Sequence, residues 1–74
     1  MITELNLLIE LELTYKKLEF ELKCQQEYLK ELREYGWNEE SYPIFCIYED
    51  IKETNLEIIK VKQEAEILYN EITK

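Results

Sequence analysis

Two thiols (Cys24 and Cys46), sixteen glutamates, one aspartate and a single arginine, Arg33, are the side chains on which chemistry could rest in this chain of 74 residues. General acid–base catalysis most often uses histidine, and there is none. A cysteine nucleophile would lack its imidazole base. A structural zinc site would lack both histidine and a C-x-x-C pair. Di-iron bundles need Glu-x-x-His, and a phosphate cradle needs glycines where this chain has only Gly36. Glutamates three or four residues apart are frequent simply because glutamate is frequent. The residue types therefore predict no enzyme, no metal and no cofactor.

Charge and composition narrow the class of protein. Nine basic against seventeen acidic residues leave a net charge of −8, the wrong sign for direct contact with nucleic acid. One glycine and one proline supply too few turns for a β-hairpin fold. The longest uncharged stretch, Ser41 to Tyr48, is far short of the ~20 apolar residues of a membrane span. The opening segment has no basic region ahead of its apolar residues, which argues against a secretory leader. A cytoplasmic protein is expected.

Periodicity shows what holds these residues in place. Leu8, Leu11, Tyr15, Leu18, Leu22, Gln25, Leu29 and Leu32 follow one another at spacings of three and four, as do Ile44, Ile47, Ile51, Thr54, Ile58, Val61, Ala65, Leu68 and Ile72. Residues 7–13 (LLIELEL) also alternate like a strand, but a strand there would break the seam downstream, and helix formers dominate the segment. Gly36 suits a helix C-terminus, Asn38 a short polar turn, and Pro43 the first turn of a second helix. The expected fold is all-α: a single domain over 1–74, a two-helix antiparallel hairpin with helices at about 3–35 and 43–73. A register centred near residue 40 sets Leu32 opposite Ile47, Leu18 opposite Val61, large Tyr15 opposite small Ala65, and polar Gln25 opposite polar Thr54. It leaves Cys24 and Cys46 about 7 Å apart in level and off the seam, so free thiols are expected.

More apolar surface is present than one seam can bury. Ile9, Leu13, Phe20 and Cys24 lie behind the first seam, and Phe45, Leu56, Ile59 and Ile67 behind the second, with Leu5, Leu7, Tyr28, Tyr48 and Tyr69 on the flanks. They are either scattered surface hydrophobes or a second contact face. Such a face would serve self-association into a four-helix-bundle dimer or docking on another protein, and spacing does not separate the two. The outward glutamates (Glu10, Glu27, Glu31, Glu34, Glu49, Glu53 and Glu66) are interspersed with lysines. They fit a solvated helical surface or an acidic competitor for the basic groove of a nucleic-acid enzyme.

The opening Met1-Ile2-Thr3-Glu4-Leu5, two helices filling the chain, and a turn of the form Gly36…Ser41-Tyr42 resemble the small helical-hairpin co-chaperones of bacterial type III secretion needle subunits. The second helix departs from that family's alanine-richer pattern, with Ala65 its only alanine. The resemblance implies a cytoplasmic chaperone that pairs with a helical-repeat partner, keeps a secreted needle subunit soluble and has no catalytic residue. The two alternatives from other classes are a phage-type acidic inhibitor, such as an anti-CRISPR protein, and a self-associating regulatory dimer.

Overall fold

The computed structural model describes residues 2–73. They form two helices, α1 (Ile2–Glu34) and α2 (Tyr42–Ile72), packed against each other. Both boundaries fall within a residue or so of those the periodicity predicts. Residues 7–13 are helical, so the seam overrides their strand-like alternation. The Cα envelope measures 53 × 15 × 13 Å, a rod two helices wide.

Every one of the seventeen seam positions is buried or half-buried. Leu29, Leu32, Ile44 and Ile47 form the core cluster with Ile51 against it, as the register requires. Ile44 is completely buried. Burial is uneven along the rod. Leu18, Leu29, Leu32, Ile44, Ile47, Thr54 and Ile58 are the buried side chains among the described residues, and all lie toward the turn. Beyond Leu18 and Ile58 the seam is only half-covered, because nothing flanks a two-helix seam and small Ala65 sits among Leu8, Leu11 and Tyr15.

The turn is built from backbone hydrogen bonds. Gly36, at φ 92°, takes the left-handed position after α1. Its N–H donates to the Arg33 carbonyl, and the Trp37 N–H donates to the Leu32 carbonyl, the paired bonds of a Schellman cap. Trp37 itself stays half-exposed rather than folding fully onto the last turn. The Asn38 side chain accepts from the Glu40 N–H, and the Asn38 carbonyl accepts from both the N–H and the hydroxyl of Ser41. Ser41 then takes the N-cap of α2 with extended backbone, and Pro43 falls in the first turn.

The two polar seam residues do not satisfy each other. The buried Thr54 hydroxyl donates to the Asp50 carbonyl of its own helix at 3.0 Å, and Gln25 Oε1 is buried without a hydrogen-bond partner. Polar seam residues fix register at a cost in stability. Gln25→Leu is therefore expected to raise the unfolding free energy by about 1 kcal/mol in urea titration; an unchanged midpoint would refute this. Gly36→Ala is expected to lower it by about 1 kcal/mol through the backbone alone, since an added Cβ would meet nothing within 4 Å.

Candidate protein-docking surface

Because α1 and α2 meet along a single line, each helix turns its opposite side outward. With the seam at heptad positions a and d, the outer positions are b, c and f. All seven large apolar residues expected on a second face are exposed. They do not share one surface. Ile9, Leu13 and Phe20 lie on the outer edge of α1, whereas Phe45, Leu56, Ile59 and Ile67 lie on the outer edge of α2, across the rod.

The two edges differ in quality. Along α1 one row of these positions reads Ile2, Asn6, Ile9, Leu13, Lys16, Phe20 and Cys24, and then Glu27, Glu31 and Glu34, with Thr3, Glu10, Lys17, Lys23 and Lys30 at the remaining outer positions. Ile2, Leu13 and Phe20 are 77%, 62% and 69% exposed. Ile2 belongs to this row and was not picked out from the sequence; extending the outer positions one heptad toward the terminus finds it. Along α2 the row is broken by Glu49, Lys52, Lys60 and Gln63, leaving Phe45 and Ile67 each separated from the central pair of Leu56 and Ile59.

Two shallow grooves flank the half-covered end of the seam. One, of about 390 Å³, is lined by Leu8, Leu11, Tyr15, Val61 and Ala65, with the Lys62 ammonium 5.3 Å from the centre of the Tyr15 ring. The other, of about 420 Å³, opens on the opposite side between Leu7, Leu11, Ile67 and Leu68 and carries Glu10, Glu64 and Glu71 on its rim. The first is the more apolar of the two, and both are walls of the same seam.

At the turn, Arg33 Nε donates to Glu39 Oε1 at 2.6 Å, and the Arg33 guanidinium also donates to the Tyr48 hydroxyl. That hydroxyl donates in turn to Glu39 Oε2 at 2.9 Å. The ring of three ties the end of α1, the loop and the second turn of α2. The Arg33 guanidinium and then the Tyr48 hydroxyl hold the Glu39 carboxyl below its usual range. Nearby, an interaction with Cys46 pushes the Tyr42 phenol up. Cys24, exposed, and Cys46, half-buried, are free thiols.

Among the described residues no group of acidic, cysteine or histidine side chains could hold a metal ion, and no helix is long and apolar enough to cross a membrane. Comparison with protein families, with curated proteins and with solved structures finds no match for this chain.

The latch at the turn has a pH signature. A carboxyl lowered on folding contributes stability that is present above its unfolded pKa and lost as pH falls through the folded one. Wild type and Glu39→Gln are expected to differ in melting temperature at neutral pH and to converge below the ordinary carboxylate range. The difference should shrink in high salt, because the pair is solvent-exposed. Equal melting temperatures at neutral pH and low salt would show that the latch adds nothing.

Proposed function

We propose that this chain is a non-enzymatic protein-binding hairpin, a small cytoplasmic chaperone or adaptor that covers the apolar surface of a partner with its own. The observation that carries this reading is the outer edge of α1, where Ile2, Ile9, Leu13 and Phe20 stand exposed in one row with Asn6 and Lys16 among them and Glu10 and Lys17 beside them. Singly scattered hydrophobes are ordinary on a protein surface; a row extending over roughly 27 Å at helical rise is a docking feature. The resemblance in sequence outline to the type III needle co-chaperones fits this reading. In that case a helical-repeat protein would cover the row, and the secreted needle subunit would be the cargo kept soluble.

A second reading rests on Glu27, Glu31 and Glu34, which continue the same edge without an ion pair. Such a row suits an acidic inhibitor laid into the basic groove of a nucleic-acid enzyme, in the manner of an anti-CRISPR protein. A homodimeric four-helix bundle is served less well. A closed bundle needs two apolar faces about a quarter-turn apart on each helix, and here they are half a turn apart.

Because the two edges lie on opposite sides, single substitutions separate the readings. In capture from the native cytoplasm with mass-spectrometric identification, Phe20→Asp is expected to reduce recovery of a specific partner at least tenfold. Ile59→Asp should leave it intact, and a high-salt wash should remove little. Loss on Glu31→Lys and in high salt, with Phe20→Asp silent, would move the assignment to the acidic inhibitor.

A further inference from the structure

We infer that the outer edge of α1 is a two-part docking face for an amphipathic helix of another protein, one whose apolar stripe ends in a cluster of lysines or arginines. The inference rests on the protein-binding reading above and adds the chemistry and polarity of the partner. The apolar part would seat on Ile2, Ile9, Leu13 and Phe20, and the basic end on Glu27, Glu31 and Glu34 beside the turn.

The acidic part is poorly placed for folding alone. Glu27 and Glu31 are four residues apart and Glu31 and Glu34 three, so each repels its neighbour along the helix. Glu31 and Glu34 also occupy the last turn of α1, where the helix dipole favours cations. Arg33, the basic residue of that turn, is committed to Glu39. Lys23 and Lys30 stand at outer positions three or four residues from Glu27 and Glu34, but none of the three glutamates forms an ion pair. With no ion pair formed inside the hairpin, carboxylates at a helix C-terminus are open to cations from outside. Their continuity with the apolar row sets where those cations must sit on the partner.

A second copy of the chain does not meet this requirement. Two α1 edges could pair antiparallel with Ile2 against Phe20 and Ile9 against Leu13. That arrangement is centred on Leu11, so it brings Glu10 of each copy against Glu12 of the other and leaves Glu27, Glu31 and Glu34 beyond the overlap. It also joins two chains of net charge −8. A partner with a basic end matches both halves of the edge.

Two synthetic helical peptides test this, each with leucines at i, i+7, i+11 and i+18, one ending in three lysines and the other in three glutamates. Binding to the full-length hairpin is read by fluorescence anisotropy at 50 mM and 500 mM salt. The lysine-ended peptide is expected to bind at least tenfold tighter than the glutamate-ended one at low salt, with the gap narrowing at high salt. Triple reversal (Glu27→Lys, Glu31→Lys and Glu34→Lys) should invert the preference, Phe20→Asp should weaken both peptides at least tenfold, and Ile59→Asp should weaken neither. All these positions are exposed, and circular dichroism is to check that each variant remains helical. Equal affinity for the two peptides, no inversion in the triple variant, or no binding of either would overturn the inference. Sedimentation as a dimer that Phe20→Asp dissociates would overturn it in favour of a second copy. If Phe20→Asp still abolishes capture from the cytoplasm while the charge reversal changes nothing, the protein-binding reading stands and the basic-partner inference falls.

Discussion

A pair of helices has only one line of contact, and that limit governs the rest of this molecule. Among the described residues the interior is little more than the seventeen seam residues, and full burial is reached only toward the turn. A single seam in so small a chain rarely supplies more than ~3–5 kcal/mol. The connection must then keep the helices in register with little help from the core. The Schellman cap at Gly36, the Asn38 turn and the Arg33–Glu39–Tyr48 ring do this locally, all at the end where the core cluster also sits. Buried contacts are concentrated at one end of the rod, and the seam is half-covered at the other.

The same limit sets the surface. Side chains outside the seam have no layer to hide beneath, so hydrophobic residues in excess of the seam must face water. On α2 they are diluted by charged and polar neighbours. On α1 they are gathered into a row, and three glutamates continue it with Lys23 and Lys30 beside them. Segregation of this kind along one edge has no part in closing the hairpin. It is the reason the outer side of α1, rather than the grooves beside the seam, is proposed as the binding surface.

Much of this was legible in the chain. The three-four spacing identified the seam members, and Gly36 and Pro43 marked the end of one helix and the start of the next. Both are short-range signals, governed by backbone conformation and helical repeat. What the sequence concealed depends on the third dimension. Arg33, Glu39 and Tyr48 meet across a loop, at separations that no helical repeat connects. Gln25 and Thr54 share a level, yet Thr54 turns back on its own helix and leaves the Gln25 oxygen unpaired. The seven large apolar residues behind the seams read as one face in sequence; following helical phase around each helix divides them between opposite edges.

The repeat of the seam and that of the outer row of α1 are not the same. The seam advances in sevens, at 3.5 residues per turn, whereas Ile2, Leu13 and Cys24 are spaced by elevens, as are Ile9 and Phe20, at roughly 3.67 per turn. A line of the second kind drawn on a helix wound to the first is not parallel to it. Relative to the seam it shifts by roughly 50° with each eleven residues, passing from one shoulder of α1 to the other before it reaches the turn. Geometry thus gives the rod a diagonal: a straight rod following that row lies aslant across α1, so a joint formed there would be a crossing of helices rather than the addition of a third parallel stave.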